Sequence, residues 1–292
     1  MKILFVYNAH SGVSGEDISQ DIENYIQSSP HECTVFETKI TFGPVEYLVT
    51  QHKSFDIIVS IGGDGTISQT VDGIMKSEMD TKLIIVPFGS TNEYAKSLGI
   101  RYDSIQDVFR AIDHGEDIKV DVGKINNKHF TYVACFGNFT SVTYETPQKL
   151  KNAFGHAAYW LYGALRLRML RNYEFTIEHD ETIVEGNYLF GLISNAYRFG
   201  RVFRYPRTEV DLDDGFFELL LIKRPKKASE FLKVLYAMLV EDYSGENFIK
   251  HKLDKITLKS KRKHSWNLDG EFGGKTDTVS IQVLNKKLNL RI

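Results

Sequence analysis

The stretch IVSIGGDGTISQ (Ile58 to Gln69) places three glycines around an aspartate. Glycines permit positive φ and remove the Cβ atoms that would keep a phosphate from backbone amides, and a helix beginning at or near Thr66 adds roughly half a positive charge at its N-terminus. Thr66 can cap that helix or bond a phosphate oxygen. Asp64 is the informative residue, because two unit charges about 4 Å apart at an effective dielectric near 20 interact by roughly 4 kcal/mol. A carboxylate beside bound phosphate is therefore costly unless Mg²⁺ lies between them or the residue orients a group during phosphoryl transfer. The alternative is a cap in a tight strand-to-helix turn.

Other residues of the same chemical kind lie elsewhere. NAHSGVSG (Asn8 to Gly15) and FGST (Phe88 to Thr91) are two further loops of the glycine, serine and asparagine type. VDLDDGFFEL brings Asp211, Asp213 and Asp214 together before a strand, a set of hard oxygen ligands for Mg²⁺ or Ca²⁺ or else an acidic turn. Glu271 in WNLDGEFGG is a carboxylate of the kind that serves as a general base, although DGE in isolation also reads as a turn between two strands.

These residues must be held by regular elements. The first 120 residues repeat an apolar strand, a polar glycine-bearing loop and an amphipathic helix: Lys2 to Tyr7 before Glu16 to Gln27, Phe55 to Ile61 before Thr66 to Met75, and Lys82 to Pro87 before Asn92 to Leu98. A further strand, CTVFET, and a helix stopped at Gly115 complete the set. Such alternation predicts a doubly wound parallel sheet with ligands at the carboxyl ends of its strands, where all three loops fall. After Asp117 the texture turns to alternating strands. A hairpin signal at Asn126-Asn127 leads, and helices are expected around Leu150 to Leu170 and Ala228 to Val240. The expectation is an α/β chain with a nucleotide-type domain over 1–120 and a mainly antiparallel, β-sandwich-like domain with helices over 121–292, whose last few residues return to the first.

A hydrophobic share of 42% suffices for packed cores, and a net charge of −2 advertises no nucleic-acid partner. Cys33 and Cys135 form no CxxC pair and read as core residues. The absence of an h-region at the N-terminus and of any run of roughly 18 apolar residues points to a soluble cytoplasmic protein.

The ordered set NAHSG, GGDGT, PFGSTNEYAKSLGI, VDVGKIN, DDGFFEL and DGE resembles the catalytic domain of the diacylglycerol kinase family, which includes bacterial diacylglycerol kinases and sphingosine and ceramide kinases. The resemblance covers nearly the whole chain. It implies an ATP-dependent lipid kinase in which Asn8, Ser11 and Gly12, then Gly62, Gly63, Asp64, Gly65 and Thr66, then Gly89, Ser90 and Asn92 with Glu93, hold or line the nucleotide, and Thr38 contacts it. It implies a proton-acceptor role for Glu271 and places Asp121 near the Asp64 carboxylate, which would work with ATP-bound Mg²⁺. It also implies a structural Mg²⁺ on Asp211, Asp214 and the carbonyl of Phe216. Ala9, Ser90 and Glu93 depart from the usual proline, threonine and aspartate; the last two keep a hydroxyl and a carboxylate.

A lipid kinase without a membrane span must meet its substrate at the bilayer, by transient peripheral contact with the inner membrane face. The aromatic and basic stretches over residues 149–170 and at Arg198, Arg201, Arg204 and Arg207 suit an anionic interface, or else core packing and a solvated loop. LKSKRKHSW reads as an exposed basic strand or hairpin flank. Diacylglycerol is the first acceptor expected; a homodimer is compatible with the sequence. The rivals are an NAD kinase, which shares a GGDGT loop but a different downstream pattern, and a nucleotide- or lipid-binding regulator without turnover.

Overall fold

The computed structural model describes residues 1–8, 15–39, 41–51, 54–138, 170–199, 203–204 and 210–292. The helix expected over Leu150 to Leu170 falls outside them except for its last residue. So do Arg201 and Arg207, while Arg198 and Arg204 belong to a short hairpin, β10 (Arg198–Phe199) with β11 (Phe203–Arg204).

Strand β1 (Lys2–Tyr7) is almost continuously apolar, as a strand covered on both faces must be. It pairs in parallel with β2 (Glu32–Glu37) on one side and with β3 (Ile57–Gly62) on the other, and β4 (Lys82–Pro87) extends the parallel sheet beyond β3. Side chains alternate between faces. Ile3 and Phe5, with Ile57, Val59 and Ile84, pack beneath α1 (Gly15–Ser28) and α5 (Ile105–His114), which contribute Ile22, Val108 and Ile112. Leu4 and Val6, with Ile58, Leu83 and Ile85, pack beneath α2 (Pro44–Thr50) and α3 (Asp64–Ser77), which contribute Leu48, Ile67, Val71 and Ile74. Helix α2 is absent from the sequence expectation.

The strands after residue 117 are antiparallel to their partners, with one exception. Strand β15 (Glu271–Arg291) pairs in parallel with β4 through Asn289 and Leu290, and antiparallel with β5 (Asp117–Ile125) and with β14 (Lys255–Leu268). The chain's end thus returns to the parallel sheet and joins both halves into one hydrogen-bonded network of 13 strands. The hairpin from β5 to β6 (Lys128–Phe130) turns on Asn126, which takes a positive φ of 50°.

Two long strands curl the antiparallel part. β14 and β9 (Thr182–Ser194) each pair with β7 (Val133–Gly137) at one end and β8 (Tyr173–His179) at the other. β9 pairs also with β12 (Phe217–Lys223), and β12 with β13 (Phe248–Leu253). These strands enclose a second core of Phe130, Phe136, Phe175, Phe217, Leu258 and Trp266. Helix α6 (Ala228–Val240) buries Phe231, Val234 and Met238. Lys259 to His264 lie in β14 opposite β15, where a register shift interrupts the ladder.

Candidate active site

The GGDGT loop sits where β3 ends. Gly63 caps α3, and the first intrahelical bond runs from the Ile67 amide to the Gly63 carbonyl at 3.1 Å. The amides of Asp64, Gly65 and Thr66 therefore lack intrahelical partners, the arrangement that makes a helix start an anion site. Two of the glycines have a steric reason. A Cβ on Gly62 would stand 2.6 Å from the Thr66 side chain, and one on Gly89 would stand 2.5 Å from the Gly63 Cα, so the first turn of α3 and the FGST loop meet backbone to backbone.

Asp64 faces that second loop. Its Oδ2 accepts from the Thr91 hydroxyl and the Glu93 amide, both at 3.1 Å, and its Oδ1 accepts from the Tyr94 amide at 3.2 Å. Its negative charge thus satisfies the orphan amides of α4 (Glu93–Ser97), which begins at Asn92 in the left-handed region. Asn92 in turn exchanges two 2.9 Å bonds with the backbone of Gly89. Asn8 extends from β1 toward the same loop, its Nδ2 3.5 Å from the Thr66 hydroxyl. Ser90 is exposed beside these groups, and Thr38 follows β2, its amide donating to the Tyr7 carbonyl. Ser11 and Gly12 fall outside the described residues.

Glu271 arrives from the far end of the sequence. It opens β15 after the turn at Asp269 and Gly270, whose φ values are 50° and 91°, and its side chain lies over the GGDGT loop. A Cβ added at Gly65 would stand 3.2 Å from Glu271 Oε1. The turn is fixed by Asp269, which is 2% exposed and accepts from the amides of Thr131, Tyr132 and Val133 and from the hydroxyls of Ser68 and Thr131, all at 2.6–3.0 Å. Burial pushes this carboxyl above its ordinary range, while those hydrogen bonds pull it back.

The structure does not join Asp121 to Asp64 by a hydrogen bond. Fully buried on β5, Asp121 accepts from the Gly215 amide at 2.7 Å, the Lys286 amide at 2.6 Å and Asn285 Nδ2 at 3.0 Å. Burial raises its carboxyl, those amides oppose the rise, and the Asp214 charge adds to it. Asp121 thus holds the acidic turn over 211–216 against β15. Within that turn Asp214 meets Lys252 at 2.9 Å and the Phe216 amide at 2.9 Å, and Asp213 meets Lys286 at 3.1 Å. Two lysine ammonium groups balance the carboxylates, and among the described residues no group of three or more His, Cys, Asp or Glu converges as a metal site.

Sequence reasoning missed Ser68, Thr91, Lys252 and the paired role of Asn285 and Lys286. Thr91 lies within the quoted GSTNE run, so a signal existed. The others are single polar residues whose partners are set by strand order.

The family model for the diacylglycerol kinase catalytic domain matches residues 2–125. A diacylglycerol kinase of Bacillus subtilis is 33% identical over 223 residues, covering 76% of this chain and 73% of its relative. The chain belongs to the diacylglycerol kinase family. It is an enzyme of the lipid-kinase type. A diacylglycerol kinase of Staphylococcus aureus is 30% identical over 277 residues, covering 92% of this chain and 86% of that protein. A crystal structure described as a putative diacylglycerol kinase from Bacillus anthracis str. Sterne shares the fold, with a TM-score of 0.73 at 19% identity over 99% of this chain and 96% of the other.

Proposed function

We propose that the enzyme transfers the γ-phosphate of ATP to the hydroxyl of a lipid alcohol, diacylglycerol first, giving phosphatidic acid. The observation that carries this reading is the Glu271 carboxylate lying over Gly65 of the GGDGT loop. In this reading residues 1–120 bind ATP and residues 121–292 present the lipid. The amides of Asp64, Gly65 and Thr66 receive phosphate oxygens, and the absence of Cβ atoms at Gly63 and Gly65 permits the approach.

Glu271 accepts the proton of the acceptor hydroxyl as its oxygen bonds the γ-phosphorus and the bond to ADP breaks. A carboxylate is an adequate base here because the proton is lost as the new bond forms, not before it. Asp64 Oδ1, which accepts one hydrogen bond, keeps acceptor capacity and would hold an ATP-bound Mg²⁺ or its water, which would offset the charge of the phosphates. Asp121 acts at a distance by fixing the turn over 211–216. A cation on Asp211, Asp214 and the Phe216 carbonyl would share Asp214 with the Lys252 ammonium. The lipid is met at a membrane surface; among the described residues no helix is long and apolar enough to cross one.

The test is labelled ATP and Mg²⁺ with diacylglycerol, sphingosine, ceramide and NAD in mixed micelles. Phosphatidic acid is the expected product. Phosphorylated NAD without any phosphorylated lipid would overturn the assignment.

A further inference from the structure

Glu271 is exposed and accepts no hydrogen bond among the described residues, so its own side chain does not fix its position. The position comes from the backbone of the preceding turn. That turn is set by Asn267, whose Oδ1 accepts from the Gly270 amide at 3.0 Å, and by Asp269. Four of the five bonds to Asp269 come from Thr131, Tyr132 and Val133, which anchor the turn to the strand system alone. The fifth differs in kind. Ser68 Oγ donates to Asp269 Oδ2 at 2.6 Å, and Ser68 stands one helical turn after Asp64 on the helix whose first amides form the phosphate loop. A charge-assisted bond of this length is among the stronger and more directional contacts available to a hydroxyl.

We infer that the Ser68–Asp269 bond is the strut that positions Glu271 against the GGDGT loop, so that Ser68 is a positioning residue for phosphoryl transfer. Geometry makes the bond separable from folding: Asp269 keeps four other donors without Ser68, and Ser68 is half-buried on a helix otherwise held by Ile67, Val71 and Ile74. The strut acts on the turn, not on the nucleotide site. The first amides of α3 and the contacts of Asp64 do not depend on the Ser68 hydroxyl. Its loss should move Glu271 relative to the phosphate loop, and small displacements of a reacting group are costly in rate.

This inference rests on the lipid-kinase reading, and the experiment separates the two. Wild type, Ser68→Ala and Ser68→Thr are compared with ATP and diacylglycerol in mixed micelles, with melting temperature and amide exchange over residues 269–272 measured alongside. The expected result is that Ser68→Ala lowers kcat about 10- to 100-fold, with KM for ATP within about twofold of wild type. Exchange at the turn should quicken, and Ser68→Thr, which retains the hydroxyl, should recover most of kcat. An unchanged kcat in Ser68→Ala, or unchanged exchange over 269–272, would overturn the strut. A kcat that falls only in proportion to the folded fraction would do the same. Wild type that phosphorylates no lipid while the exchange difference persists would overturn the functional reading and leave the strut standing.

Discussion

A Cβ placed on Gly89 would stand 2.5 Å from the Cα of Gly63, so the two glycine loops touch through their backbones. The obstacle at Gly89 is main chain, which cannot rotate away. From the other side the contact is looser: a Cβ on Gly63 would meet the Gly89 Cα at 3.4 Å. Gly89→Ala should therefore destabilise by about 1–3 kcal/mol, the usual range for overpacking, and Gly63→Ala by much less. Urea unfolding of the two variants measures this; equal losses would contradict the packing.

Asp64 gives a second prediction. Asn in its place keeps the shape but offers one acceptor oxygen where the carboxylate offers two, turning an amide NH₂ toward the Thr91 hydroxyl and Glu93 amide or toward the Tyr94 amide. Asp64→Asn should cost about 1–3 kcal/mol of stability through an unsatisfied donor at the start of α4, in addition to its loss of activity. Thermal unfolding checks the first effect independently of the second. A variant as stable as wild type would show that the α4 amides do not need the charge.

How far the site could be read from sequence follows from these two cases. The glycines of these two loops announced close approach, and a Cβ at 62 or 89 would indeed stand 2.6 or 2.5 Å from its neighbour, whereas 63 and 65 leave more room. The parallel sheet was legible because both faces of β1 and β3 are apolar, and the hairpin at Asn126 because Asn tolerates positive φ. The partners of Asp64 stand in the quoted GSTNEY run, but that they meet Asp64 was not legible, since it follows from β3 and β4 being neighbours in the sheet. The use of Asp121 was hidden for the same reason: its donors lie on β15 and at the 211–216 turn, both placed by long-range pairing. Helix α2 escaped notice because its seven residues are too short to display a helical period, although Gly43 and Pro44 do mark its start.

Asp121 supports a third prediction. Asp121→Ala leaves the amides of Gly215 and Lys286 and the Asn285 side chain without their acceptor in a buried place. A loss of about 3 kcal/mol or more follows from the unmet donors. Differential unfolding should show it, with amide exchange quickened at 212–216. If stability holds and only turnover falls, Asp121 works at the reaction centre instead.

Glu218 makes stability depend on pH. It is 5% exposed, Lys252 stands 3.6 Å away, and burial is the main reason its carboxyl is pushed up to about 7 from an ordinary 4.5. Between those values the folded state holds a proton that the unfolded state has lost, so stability falls as pH rises. Glu218→Gln cannot ionise and should gain about 3 kcal/mol relative to wild type on going from pH 4 to pH 8. Urea unfolding of both proteins at the two pH values measures the difference; a gap that does not change with pH would refute it.

The central claim is that Glu271 removes the proton during transfer. Its most direct test is single-turnover phosphorylation of diacylglycerol by wild type and Glu271→Gln with ATP saturating. General-base catalysis predicts a rate lower by about 10²- to 10⁴-fold in the variant, with ATP affinity retained. Transfer by Glu271→Gln at the wild-type rate would contradict the account.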